Sequence, residues 1–406
     1  MTAPHQSDVA TFVSPPDRRL AYVPGQIVVG VHAHALRSAA EAVSEPFDWL
    51  ERDAGAHHVD RLFDTEHDEL AGLTVVHLPD AEVSPTLLER VESSPAIAFE
   101  ELMPARWLSA VATADPRRNR QWGLRAIRWF EAARPDAADA TVAICDTGVD
   151  EAHPDLAGAI ASYDHEDEGA VDIVGHGTHV SGIVAARANE DAGIVGVAGC
   201  RVAMWKVFPD EPYQGNFYVN GTRFLRALNA VATSGAKALN LSLGGTESSQ
   251  AEQLLFDRLE RSGVTVVAAM GNEYSTGNPT EYPAAYEHVL AVGAAAETDR
   301  RSPFSNTGRH IGLVAPGSDI LSTLPTTGSP FRPDTGYASW SGTSMATPHV
   351  AAAAALVAVQ HPDWTPADTK EHLRTTAATV ADMRGSDRTE AYGDGLLDIA
   401  GAVAAH

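Results

Sequence analysis

Residues 341–356 read SGTSMATPHVAAAAAL. From His349 onward this is the material of a buried helix, because alanine gives up little side-chain entropy and lets neighbouring elements come close. The start of the run is different. Ser344 stands among Gly342, Thr343 and Met345, small or flexible neighbours that leave room for another molecule to approach the first turn.

Strand-like apolar runs alternate with amphipathic helices from residue 121 onward. The strands are TVAICD (141–146), VAMWKVF (202–208), KALNLSL (237–243), VTVVAAM (264–270) and VLAVGAA (289–295). Helices are predicted near 177–188, 221–233, 250–262, 344–360 and 366–378. This is the pattern of an α/β fold, a mostly parallel sheet with helices on both faces, and reactive side chains in such folds gather at the carboxyl ends of the strands.

A smaller α+β unit precedes it, over about 20–105. QIVVGVH (26–32), LTVVHL (73–78) and AIAFEEL (96–102) are strand-like. Residues 34–53 and 84–93 carry apolar positions at helical spacing, so a β-α-β-β-α-β arrangement is expected. The stretch MPARWLSAVATADPRRNR (103–120) has two prolines, an arginine cluster and no periodicity. It reads as an exposed linker, over 106–120, of the kind proteases cut.

With 406 residues, 44% of them hydrophobic and 20% charged, the chain suits one large and one small globular domain. A formal charge of -25 disfavours nucleic acid or an anionic membrane as partner, both being negative themselves. Cys145 and Cys200 are the only cysteines and read as buried free thiols, so a disulfide scaffold is excluded. No apolar run approaches the roughly 18 residues of a membrane span, and MTAPHQSDVATFVSPPDRR lacks the pattern of a signal peptide. The expectation is a protein that stays in the cytoplasm, leaves by a non-classical route, or has its true start upstream.

Three polar residues could do chemistry. Asp146 ends the first strand of the large domain in CDTGVD, His176 opens a helix in GHGTHVSG, and Ser344 opens another. A serine hydroxyl becomes a nucleophile when a base removes its proton, and the base needs a third group to hold its tautomer. Taken singly, the three read as a strand-end turn residue, a partly buried histidine and a helix cap. A zinc site of His176, His179 and Asp146 is the metal alternative, without the H-E-x-x-H pattern. A lipase-type site would need G-x-S-x-G, whereas Ser344 lies in GTSMA.

Taken together, these segments resemble the subtilisin-like serine proteases, and the resemblance runs over about 120–405, within an expected catalytic domain of 121–406. It includes QWGL, HPDL, GVAG, NLSLGG, AAMGNE, YPAAY, FSNTG, VAPG and YGDGLLDIAGA, in that order. It implies a hydrolase of peptide bonds, with no cofactor for the chemistry. Asp146 would orient His176, the base and acid, and Ser344 would form an acyl-enzyme. Asn272 would hold the oxyanion with the Ser344 backbone N–H.

By the same resemblance Ser242, Leu243 and Gly244 supply an edge that pairs with the extended backbone of a protein or peptide substrate. Glu281, before YPAAY, stands at the floor of the primary pocket, either favouring arginine or lysine just before the scissile bond or turned into solvent. Arg106, Arg117 and Arg118 would then be matching self-cleavage sites. The resemblance also implies structural calcium, held by Asp155 and Asn189 with Asp115 or Gln121. The N-terminal unit resembles the propeptide, an inhibitor that makes the whole chain a zymogen. A binding protein that kept this fold and lost catalysis is the rival reading.

Overall fold

The computed structural model describes residues 20–32, 58–62, 70, 72–79, 83–94, 97–108, 111–112, 121–166, 168–187 and 193–404. The N-terminal unit contains β1 (Tyr22–Val31), β2 (His58–Arg61), β3 (Leu73–His77), α1 (Pro85–Glu92) and β4 (Ile97–Pro104). Its sheet has the order β2-β3-β1-β4 and its pairs are antiparallel. Strand alternation explains the unbroken apolar run of β1. Ile27, Val29 and Val31 face one way and form a cluster with Val76, Val91 of α1 and Ile97. Val28, with Leu73, Val75 and Met103, joins the core of the large domain instead. Both faces are therefore covered. Strand β2 stands where the expected β-α-β-β-α-β order calls for its second strand, at residues to which the sequence reading assigned none, and the helix expected over 34–53 lies outside the described residues.

Two short strands follow, β5 (Trp107–Leu108) and β6 (Val111–Ala112), before the large domain begins at α2 (Trp122–Ala126). That domain runs β7 (Thr141–Asp146), β8 (Ile160–Asp164), α3 (His176–Ala185), β9 (Arg201–Lys206), α4 (Gly221–Thr233), β10 (Ala238–Leu241), β11 (Leu243–Gly244) and α5 (Gln250–Arg261). It continues with β12 (Thr265–Ala269), β13 (Val289–Ala295), β14 (Ile311–Pro316), β15 (Ile320–Thr323), β16 (Tyr337–Ser341), α6 (Thr343–Gln360), α7 (Pro366–Thr375) and α8 (Ile399–Ala402).

The seven-stranded sheet has the order β14-β13-β12-β10-β7-β9-β8, with every neighbouring pair parallel. Helix α6 crosses it in contact with β10, β12, β13 and β14, and with α3. Its residues from Thr343 to Val357 are all buried, which is what its alanines allow: without bulk on any side, the helix approaches the sheet and its neighbours closely. Cys145 and Cys200 are free and buried, and burial pushes the Cys200 thiol up to about 12. Among the described residues no helix is long and apolar enough to cross a membrane.

The stretch read as an exposed linker behaves otherwise at its start. Met103, Ala105, Arg106, Trp107 and Leu108 are buried. Leu108 and Trp107 pair antiparallel with Leu243 and Gly244, while Trp107 bridges Tyr218 and the Val219 N–H donates to the Arg106 carbonyl. Beyond, Val111 and Ala112 pair with Ser341 and Trp340. The strand partners lie more than 100 residues away in sequence, so no local pattern announces them. Arg106 is accordingly no exposed cleavage site: it ion-pairs with Glu252 at 2.7 Å, both side chains buried.

Candidate active site

Strand β7 ends in Asp146, and α3 begins at His176. The imidazole Nδ1 donates to both carboxylate oxygens of Asp146, at 2.8 and 3.0 Å, which fixes the tautomer, because a carboxylate only accepts. The Thr147 N–H donates to Asp146 Oδ1 at 2.7 Å. His176 is wholly buried, and its Nε2 has no hydrogen-bond partner. This atom can accept a proton.

The N-terminus of α3 is capped from outside. Gly175 occupies the N-cap at φ 87° and has no side chain to offer. Thr147 Oγ1 accepts from the Gly177 N–H at 2.9 Å. Asp172 accepts four bonds, from Thr147 Oγ1 (2.8 Å), Gly175 N–H (2.7 Å), Thr178 N–H (2.9 Å) and Thr178 Oγ1 (2.7 Å). Asp172 thus ties the end of β7 to the start of α3. The sequence reading missed it, although an aspartate three residues before a glycine at a helix start is a capping signal.

Ser344 is the second residue of α6, whose N-terminus favours negative charge. Its hydroxyl donates to the Ser242 carbonyl at 2.9 Å, and the Ser242 hydroxyl donates to the Ser344 carbonyl at 2.8 Å. Pro348 makes the second bond available: four residues on, it has no N–H with which to claim that carbonyl. Asn240 Nδ2 donates in turn to Ser242 Oγ at 2.9 Å. The strand predicted over 237–243 therefore breaks at Ser242, which faces the serine and separates β10 from β11.

Asn272 Oδ1 accepts from the Thr343 N–H at 2.9 Å and from Thr343 Oγ1 at 3.0 Å. With the amide oxygen held there, Nδ2 is turned away from Thr343. The His176 ring lies over Trp340, four residues before Ser344, at 6.2 Å between centroids. Asp146 and His176 are thus bonded to each other, while Ser344 and Asn272 meet at the start of α6. The Ser344 hydroxyl is turned to the Ser242 carbonyl, and His176 Nε2 is without a hydrogen-bond partner.

The zinc alternative fails on geometry. His179 stacks on Trp340 at 4.8 Å, and its Nε2 donates to the Ala338 carbonyl at 3.1 Å. Burial lowers its pKa to about 3. Its polar edge and that of His176 are engaged separately.

Glu281 is buried completely, so it is not turned into solvent. Its Oε1 accepts from Asn306 Nδ2 at 3.1 Å. A Cβ on Gly271 would come within 2.1 Å of Oε1, and one on Gly244 within 2.5 Å of Oε2. A side chain at either position would push this carboxylate from its place.

Of the residues expected at calcium, Asp115 and Asn189 lie outside the described residues. Asp155 Oδ2 accepts from the Ile194 N–H (2.8 Å) and the Tyr337 hydroxyl (2.9 Å), whereas Oδ1 is buried without a partner. An orphaned carboxylate oxygen fits a cation. Gln121 grips both the N–H and the carbonyl of Val195, which commits its side-chain oxygen to that loop.

Residues 137–395 match the Subtilase family, Peptidase_S8. Subtilisin of Bacillus pumilus is 37% identical over 268 residues, 64% of this chain and 90% of that protein. An alkaline protease of Shouchella clausii is 32% identical over 366 residues, 89% of each chain. The crystal structure of fervidolysin from Fervidobacterium pennivorans, a keratinolytic enzyme related to subtilisin, superposes with a TM-score of 0.75 at 24% identity. It covers 95% of this chain and 62% of that one, a likeness of fold. An Asp-His pair at the sheet's carboxyl edge, a serine on the central helix and these matches converge: the chain belongs to the subtilase family of serine endopeptidases.

Proposed function

We propose that Ser344 hydrolyses peptide bonds with His176 and Asp146, and that the whole chain is a zymogen closed by its own N-terminal unit. The observation that carries the reading is the buried His176, with Nδ1 on Asp146 and Nε2 unpartnered beside the strand leading to Ser344. Ser344 Oγ bonds to the substrate carbonyl carbon as its proton passes to His176 Nε2. The carbonyl oxygen, now negative, accepts from the Ser344 N–H and Asn272 Nδ2. Collapse breaks the C–N bond, the amine leaves with the proton, and water then attacks the ester by the same route.

The zymogen reading is supported by three contacts at the cleft. Glu101 of β4 caps α5, accepting from Ser249 Oγ (2.6 Å) and from the N–H groups of Gln250 (2.8 Å) and Ala251 (3.2 Å). Trp107–Leu108 occupies the edge that Leu243 and Gly244 would offer a substrate, and Val111–Ala112 pairs with the strand entering Ser344. The scissile bond then falls between Leu108 and Val111. Within that interval our proposal is the Ser109–Ala110 bond, because Leu108 lies opposite Leu243 and the residue next to Leu243, Ser242, is the acceptor of the Ser344 hydroxyl. The 89% match to the alkaline protease is too long for residues 121–406 alone and so reaches into the N-terminal unit.

Glu281 is the carboxylate beneath the residue directly before the cut. In a separate substrate a charge-assisted hydrogen bond would favour arginine or lysine there, whereas the Ser109–Ala110 bond, joined to the protease in one chain, would be cut without that contact. Calcium is proposed at Asp155, whose orphaned Oδ1 would be satisfied by it, with loop carbonyls as further oxygen ligands; its role would be stability, not chemistry.

A fluorophosphonate probe, which reacts with an activated serine, tests the reading. The processed wild-type protein should be labelled on Ser344, and Ser344→Ala should not be. A processed chain that resists the probe while remaining folded would favour the rival, a binding protein on this fold.

A further inference from the structure

Arg106 and Glu252 form an ion pair with both side chains buried at the cleft. Arg106 is fully buried, and its Nη2 donates to Glu252 Oε2 at 2.7 Å while Nη1 donates to the Ala105 carbonyl at 3.2 Å. Glu252 lies in the first turn of α5, its own N–H held by Ser249 Oγ at 3.1 Å. Gly245 gives the guanidinium its entry, for a Cβ there would come within 2.9 Å of Nη1 and 2.2 Å of the Ala105 carbonyl.

Burying two charges costs several kcal/mol each unless they find each other with good geometry. The buried carboxylate of Glu252 is matched by a cation brought to it, beside a side-chain hydrogen bond with Tyr286. In the zymogen that cation is Arg106, carried on the strand that lies along Leu243 and Gly244. Once the N-terminal unit leaves, the same edge is open to any extended peptide, and the residue at the Arg106 position points at Glu252.

We propose that Glu252 is a specificity-determining residue that selects substrates with arginine four residues before the cleaved bond. The proposal rests on the peptidase reading and on the Ser109–Ala110 register, which makes Arg106 the fourth residue upstream and Ser109 the first. The main-chain ladder accepts many sequences, so discrimination falls to such pockets. The planar guanidinium suits the site because it can give one donor to the carboxylate and another to a backbone carbonyl, which a lysine ammonium does in no fixed geometry. This selection acts at a different position from Glu281, so a panel of substrates separates the two.

The test uses wild-type protein after self-processing and four peptides that differ only at the fourth position before the cut: arginine, lysine, leucine and glutamate. The arginine peptide should exceed the leucine peptide in kcat/KM by on the order of 30-fold or more, the range for one partner of a buried charged pair. The glutamate peptide should be the poorest. In Glu252→Gln the arginine-to-leucine ratio should fall to within about threefold. In Glu252→Arg the glutamate peptide should overtake the arginine one. Arginine and leucine peptides cleaved alike by the wild type would overturn the proposal alone, leaving Glu252 as an anchor for the N-terminal unit. Failure to cleave any of the four would overturn the peptidase reading and the proposal with it. The wild-type panel decides even where a Glu252 variant does not fold.

Discussion

Replacing Asp172 by asparagine removes charge and one acceptor oxygen from a group that touches neither substrate nor the reacting atoms. Asp172 is 1% exposed. Each of its oxygens accepts one backbone N–H, of Gly175 or of Thr178, and one threonine hydroxyl. Hydroxyls can turn to another acceptor; backbone N–H groups cannot. Whichever oxygen becomes an NH2 group, one N–H at the start of α3 is left facing a donor with no water to relieve it. A hydrogen bond to a charged group is worth about 1.5–3 kcal/mol, and an unsatisfied buried donor costs a similar amount. The loss is therefore on the order of 3 kcal/mol, or roughly 5 °C in the midpoint of a domain this large. Because the same residue ties Thr147 to the turn before His176, kcat/KM should also fall, by at least about tenfold. Thermal unfolding and peptide hydrolysis of D172N against wild type read both effects. A stability within about 0.5 kcal/mol of wild type, together with unchanged kcat/KM, would refute the bracing argument.

Burial lowers the pKa of His179 to about 3 and of His349 to about 4, below the value near 6.5 of an unfolded histidine. The unfolded chain thus binds more protons between these limits, so stability should drop as pH falls from about 6.5 toward 4, and less steeply in His349→Gln, measured by denaturant midpoints across pH. A flat profile in the wild type would contradict the burial. Asn272→Ala should lower kcat by about 100- to 1000-fold, the range measured for this donor in subtilisin, with KM little changed. An equal loss in KM would mean that Asn272 binds the ground state. Chelation by EDTA should lower the unfolding midpoint of wild type but not of Asp155→Ala, whereas equal shifts would move calcium to another site.

Much of the large domain was legible because its signals are local. Apolar runs such as VLAVGAA carry buried parallel strands, and the helix over 343–360 follows from its alanines. Strand β14 escaped because Gly312 and Pro316 weaken its pattern, and β8 because it is a partly exposed edge strand. The Asp146 and His176 partnership rested on motif order, since two residues 30 apart declare no contact by themselves. What could not be read was non-local. The partner of Arg106 is 146 residues away, and the register of Trp107–Leu108 against Leu243–Gly244 depends on how two domains close upon each other. For that reason the sequence reads as an exposed linker where the structure holds a buried strand with a buried arginine.

The intact mass of purified wild type beside Ser344→Ala, both kept with calcium for several hours, decides whether Ser344 cuts the chain's own backbone. Wild type should separate into a fragment ending at Ser109 and a processed chain beginning at Ala110, while Ser344→Ala keeps the bond intact. Cleavage of both proteins at the same bond would mean that Ser344 is not the nucleophile that cuts it.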